Sequence, residues 1–90
     1  MSIIQIRFYA RLNRHLPPHL HQRSFKIPVS GQSQIKDVID SLGVPYAEVG
    51  LITADGVPVD FSYCVKGGER FAVYPFFQSI DITGANNAST

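Results

Sequence analysis

At 90 residues the chain has room for one domain, and a 44% hydrophobic content with six Phe and four Tyr excludes a disordered chain. No apolar run is long enough to cross a bilayer, and nothing at the N-terminus reads as a signal peptide; the single cysteine, Cys64, excludes an intrachain disulfide and suits a reducing, cytoplasmic setting. Net charge is +1, but residues 1–30 carry +5 (Arg7, Arg11, Arg14, Arg23, Lys26, no acid) and residues 31–90 carry −4, from three bases and seven acids, a division that suits a nucleic-acid or acidic-partner surface as well as a merely solvated one.

Residues 3–9, IIQIRFY, alternate, with Ile4, Ile6 and Phe8 on one face and Gln5 and Arg7 on the other, the pattern of a half-buried strand. Residues 10–23 hold Pro17-Pro18, three histidines and three arginines. The prolines forbid a regular helix through them, so a mobile, basic connection with one helical turn before the prolines is expected. Residues 24–29, SFKIPV, alternate again, with Phe25, Ile27 and Val29 inward and Lys26 outward; Pro28 lacks an N–H and marks a free edge.

Ile35, Val38, Ile39 and Leu42 recur at i, i+3, i+4 and i+7 and predict a helix over about 33–42. Ser33 is its expected N-cap and Gly43 its C′ residue. Pro45 opens a short further turn. LITA, 51–54, reads as a strand; Asp55-Gly56 is a two-residue hairpin turn; Val57-Pro58-Val59 returns as a short edge strand. Asp60 caps the turn through Phe61-Ser62-Tyr63, and FAVYPF, 71–76, is the last strand. The tail GANNAST, 84–90, is small and polar and reads as a frayed end or the start of a linker after a domain of residues 1–83.

One helix must cover one face of a mixed sheet of four to five strands, because its apolar stripe and the strands' inward faces bury each other. With the last strand parallel to the first at the centre, this is an α+β, β-grasp (ubiquitin-like) arrangement. The expected core is Ile4, Ile6, Phe8, Phe25, Ile27, Ile35, Val38, Ile39, Leu42, Leu51, Phe71 and Val73. Gly67-Gly68 could be read as the reactive diglycine of a ubiquitin-like modifier or sulfur carrier. A strand follows it, however, so the pair is expected to be a turn using positive φ.

The stretches IRFYARLNRHLPP, GQSQIKDVIDSLGVPYAEVGLI, DGVPVDFSY and GERFAVYPFFQSIDIT resemble the ubiquitin-like N-terminal domain of bacterial proteins that carry a Mut-seven-type C-terminal ribonuclease domain, over residues 3 to about 83. The resemblance implies a β-grasp fold, kinship with the sulfur carriers of thiamine and molybdopterin synthesis, and an accessory role in RNA metabolism beside a PIN-like nuclease. The nuclease and its zinc ribbon are not in this chain. The resemblance supplies no catalytic residue.

Catalysis is not expected. The seven acids lack surroundings that would perturb them, and Asp37 and Asp40 lie on the polar side of the helix while Asp55 and Asp60 suit turns and caps. Cys64 has no activating base beside it in sequence and reads as a small apolar filler. His15, His19 and His21 lack metal-ligand spacing because Pro17-Pro18 interrupts them. No metal, cofactor, membrane or small-molecule substrate is expected. What remains is the outer sheet face, where Arg7, Arg11, Arg70 and Tyr74 are the candidate partner-binding residues, joined by Lys26, Arg14 and Tyr9. Arginine and tyrosine there suit a protein partner, first a PIN-like ribonuclease that the domain would activate or inhibit, in cis or in trans. They also suit single-stranded RNA. A sulfur-carrier role is disfavoured because the sequence does not close on Gly-Gly.

Overall fold

The alternation of the first strand appears directly as burial: in the computed structural model, which describes residues 2–76, Ile4, Ile6 and Phe8 are buried while Gln5 and Arg7 are half-buried. The described chain runs β1 (Ser2–Phe8), two 3₁₀ turns (Ala10–His15 and Pro18–Leu20), β2 (Phe25–Val29), α1 (Ile35–Ser41), a third 3₁₀ turn (Tyr46–Glu48), β3 (Val49–Ala54), β4 (Val57–Val59) and β5 (Arg70–Pro75). The sheet order is β2-β1-β5-β3-β4. β1 and β5 form the central parallel pair, with Ile6 opposite Phe71 and Phe8 opposite Val73. The other pairings are antiparallel, and the proline-bearing strands β2 and β4 are the two edges, where a missing N–H breaks no ladder bond. This is the β-grasp arrangement. The ending beyond Phe76, including the tail at 84–90, lies outside the described residues.

Helix α1 buries Ile35, Val38 and Ile39 against the sheet, with Leu42 half-buried behind them. Its C-terminus is closed as glycine allows. Gly43 takes φ +89°, its N–H donates to Asp40 O at 2.9 Å, and Val44 N–H donates to Ile39 O at 3.4 Å, the paired bonds of a Schellman motif. The N-terminus departs from expectation. Gln34, not Ser33, holds the capping position and makes no side-chain cap; Ser33 Oγ donates instead to Ser30 O. The first helical N–H groups, of Ile35 and Lys36, donate to the main-chain oxygens of Tyr63 and Phe61 at 2.9 and 3.2 Å. A distant segment's backbone thus satisfies donors that a serine would otherwise have served.

The same segment corrects the reading of Cys64. It pairs with Gln34 as an isolated antiparallel bridge and is exposed, while its neighbour Val65 is the buried residue. Residues 10–23 are a packed connection, not a mobile one. Leu12 and Leu16 enter the core at 0% and 6% exposure. Buried Asn13 ties the segment together, with Nδ2 donating to Ala10 O and Oδ1 accepting Gln22 N–H at 2.7 Å.

Strand β3 begins two residues before the expected LITA and carries a bulge between Val49 and Leu51. Leu51, 40% exposed, alternates outward with Thr53 while Ile52 and Ala54 face the core, and the extra residue of the bulge brings Val49 to the core face as well. Gly50 occupies the bulge because a Cβ there would lie 2.9 Å from Phe76 Cα and 3.0 Å from Pro75 O. Phe25 and Ile27 are only half-buried against the core, as suits an edge strand.

Candidate functional site

With the helix on one face, the opposite face of the sheet presents the other half of each alternation. Lys26 of β2 stands opposite Gln5, Gln5 opposite Arg70, Arg7 opposite Ala72, and Leu51 opposite Tyr74. A shallow concavity of about 640 Å³ lies on this face, lined chiefly by Arg7, Tyr9, Thr53, Asp55, Arg70 and Tyr74.

Two local devices shape it. The rings of Tyr9 and Tyr74 stack at 4.5 Å with 15° between their planes, and the Arg7 guanidinium carbon lies 4.8 Å from the centroid of Tyr9, within cation–π range. Arg7 Nε is sealed from water and has no hydrogen-bond partner among the described residues. At the other end, the Asp55-Gly56 turn has positive φ at both residues, 51° and 84°, the signature of a type I′ hairpin. Asp55 N–H donates to Arg70 O at 2.8 Å, and Arg70 N–H donates to Asp55 Oδ1 at 3.0 Å. The hairpin therefore fixes where β5 starts and where Arg70 stands. Among the described residues neither Arg7 nor Arg70 has an ion-pair partner, whereas Arg14 is paired with Glu48 at 3.3 Å.

Of the four residues singled out in the sequence, Arg7, Arg70 and Tyr74 line this one concavity. Arg11 does not join them: its Nη2 donates to the main-chain oxygen of Phe76 at 2.8 Å, at the end of β5. Asp55 was read from the sequence as a turn residue only. Its grip on Arg70, 15 positions away, has no local signal, because it depends on β3 lying beside β5.

Two of the histidines make side-chain contacts within the domain. His15 Nε2 lies 2.9 Å from Glu48 Oε1, and His21 Nε2 lies 2.8 Å from Leu16 O. Glu48 is held below the usual carboxylate range, chiefly by the hydrogen bond from His15 and against some desolvation. No cluster of three or more metal-ligating side chains occurs among the described residues, and no helix among them is long and apolar enough to cross a membrane.

The diglycine is a turn. Gly67 and Gly68 take φ +112° and +83°, a region closed to most side chains. Glu69, 6% exposed, turns its carboxylate back over them. Oε1 accepts Gly67 N–H at 2.7 Å, and Oε2 accepts Lys66 N–H and the Tyr63 hydroxyl, each at 2.9 Å. Burial pushes the Glu69 carboxyl up, but the donors from Lys66, Gly67 and Tyr63 together outweigh it and hold it below the usual range. Tyr63, donating to that carboxylate, is raised. Gly68 N–H donates to Ile3 O, and Gln5 N–H to Glu69 O, so the turn is joined to β1.

Similarity to known proteins agrees with this geometry. Two crystal structures of small archaeal modifier protein 1 from Haloferax volcanii share the fold with a TM-score of 0.63. Their sequences are 16% and 15% identical to this one, and the matches cover 83% and 86% of this chain and 98% of theirs. A Pyrococcus furiosus protein described as molybdopterin converting factor, subunit 1, is similar to the same degree, with a TM-score of 0.63, 14% identity, and 83% of this chain and 98% of that chain covered. No curated protein matches the sequence significantly. The model of the Mut7-C ubiquitin family matches residues 1–81, nearly the whole length, and the chain belongs to that family.

Proposed function

We propose that this chain is a non-catalytic docking domain whose outer sheet face engages a PIN-like ribonuclease domain, in cis or in trans, and thereby supports or restrains that nuclease in RNA metabolism. The observation that carries the reading is the outer-face concavity, where Arg7 and Arg70, without an ion-pair partner among the described residues, stand beside the stacked Tyr9 and Tyr74. Arginine and tyrosine are, with tryptophan, the side chains enriched at the energetic centres of protein interfaces. Exposed Leu51, beside Tyr74, adds apolar contact area. Membership of the Mut7-C ubiquitin family supports a ribonuclease domain as the partner.

Carrier chemistry, which the names of the structural neighbours bring to mind, is not proposed. The diglycine of this chain is locked by Glu69 in a turn ahead of a central strand.

The test is co-purification of the full chain with a Mut7-C-type ribonuclease domain from the same genome. The double variant Arg7→Glu, Arg70→Glu should lose capture while its thermal unfolding stays cooperative: Arg70 is exposed, where a substitution moves stability by only about ±0.5 kcal/mol, and half-buried Arg7 gives up its contact with Tyr9 outside the core. Undiminished capture by the double variant would overturn the choice of face.

A further inference from the structure

We infer that the concavity of the outer sheet face recognises a carboxylate-bearing segment of its protein partner, with Arg7 and Arg70 as the paired donors; this rests on the docking reading above and names the chemistry of the docked surface. Three observations lead to it.

The first is charge. The face offers Arg7, Arg70 and Lys26, and the one acid lining the concavity is Asp55. One oxygen of Asp55 is already occupied by the Arg70 main-chain N–H. Arg14 is paired with Glu48, whereas among the described residues Arg7 and Arg70 are left with donors to satisfy.

The second is orientation. A guanidinium offers a planar fork that matches a carboxylate with two parallel bonds. Arg7 is held over Tyr9, so less of its side-chain freedom is lost when an anion arrives, and the Asp55 turn fixes the backbone position from which Arg70 extends.

The third separates a peptide carboxylate from a nucleic-acid phosphate. Single-stranded nucleic acid needs a cationic track and open aromatic faces for its bases. Here Tyr74 and the Arg7 guanidinium both lie within 5 Å of the Tyr9 centroid, at 4.5 and 4.8 Å, so that ring is already covered. Apart from Lys26 on the edge strand and Asp55 at the turn, the other outer positions, Gln5, Thr53, Ala72 and exposed Ile3 and Leu51, are neutral or apolar. Two arginines and one edge lysine make a short cationic patch and no track, which suits one or two acidic side chains on a protein surface.

The experiment is a titration of the ¹⁵N-labelled full chain with an end-blocked Asp-Glu-Asp peptide, following the arginine Nε–H signals. Its Asn-Gln-Asn analogue and a short oligouridylate serve as the comparison probes. The expected result is saturable movement of the Arg7 and Arg70 signals with the acidic peptide, none with the amide analogue, and little at Arg11, Arg14 or Arg23. Arg7→Lys and Arg70→Lys keep the charge but lose the fork, and together should weaken peptide binding roughly five-fold or more.

Unsaturable movement of all five arginines together would overturn the proposal in favour of diffuse attraction. Unchanged peptide affinity in the lysine variant would overturn it as well. So would saturation of the same signals by oligouridylate alone. The lysine variant is also tested for nuclease capture. Full capture without peptide binding overturns carboxylate recognition and leaves the docking face standing, whereas the docking face itself falls only if the double glutamate variant still captures the nuclease.

Discussion

The carboxylate of Glu69 accepts the main-chain N–H of Gly67 at 2.7 Å, so the residue after the diglycine closes the turn that the diglycine makes. Replacing the acid by its amide keeps the shape but puts an NH₂ against groups that are themselves donors. Glu69→Gln should therefore cost about 1–3 kcal/mol, the usual range for a lost bond to a buried charged acceptor, read as a lower denaturation midpoint with unchanged slope.

Acid should weaken the same turn. Because the folded state holds the Glu69 carboxyl below its ordinary value, its contribution is fully present above the unfolded-state value near pH 4.3 and is lost as pH falls through the lower folded value. Glu48, lowered by His15, acts in the same direction. Melting temperature should drop between about pH 5 and pH 2, and the drop should be smaller in Glu69→Gln and smaller again when Glu48→Gln is added. An equally steep decline in the double variant would show that other carboxyls govern it.

The two glycines should not be equally sensitive. A Cβ on Gly67 would lie 2.6 Å from Ser2 Cβ and 2.7 Å from its Oγ, at φ +112°, whereas one on Gly68 meets nothing within 4 Å. Gly68→Ala should cost about 1–2 kcal/mol through its left-handed backbone alone, and Gly67→Ala clearly more. Adding Ser2→Gly should recover the steric part of the Gly67→Ala loss and leave the conformational part.

The bulge in β3 makes a parallel claim. Gly50→Ala places a methyl 2.9 Å from Phe76 Cα, against the Pro75–Phe76 main chain, with no flexible side chain to yield. A loss of about 1–3 kcal/mol is expected from the forced backbone shift. Amide exchange should quicken at the Pro75 end of β5 more than at its Arg70 end.

Leu12 tests whether the connection after β1 belongs to the core. Its side chain is wholly buried, so Leu12→Ala should cost about 2–5 kcal/mol. Arg11→Ala, its exposed neighbour, removes one side-chain bond to Phe76 O and should cost about 1 kcal/mol or less. Equal and small effects at the two positions would mean that the segment is not part of the cooperative unit.

Sequence alone determined those features whose cause lies within a few residues. The period of two in β1 sets which side chains face the helix; Ile35, Val38 and Ile39 share one helical face; Gly43 ends that helix; Asp55-Gly56 and Gly67-Gly68 turn where positive φ is needed. Edge positions for β2 and β4 follow from their prolines, since a proline cannot donate into a ladder. What only the tertiary structure decided depends on segments far apart in the chain. Val49 reaches the core beside Ile52 and Ala54, although it shares its parity with outward Leu51, because the bulge lets Gly50 pass close to the Phe76 backbone. The start of α1 is served by carbonyls of residues 61 and 63, so the serine that local rules select is not used. Leu12 and Leu16 are core because their 3₁₀ turn folds back over the sheet, although their neighbours are basic and proline-rich. The candidate face divides in the same way. Alternation places Arg7 and Tyr74 outward, but only the β1–β5 register brings Arg7 and Arg70 to one concavity, and only the pull of the Phe76 carbonyl takes Arg11 away from it. Side-chain direction is a local property of a strand, whereas the neighbour a side chain meets is set by backbone pairing between strands far apart in the chain.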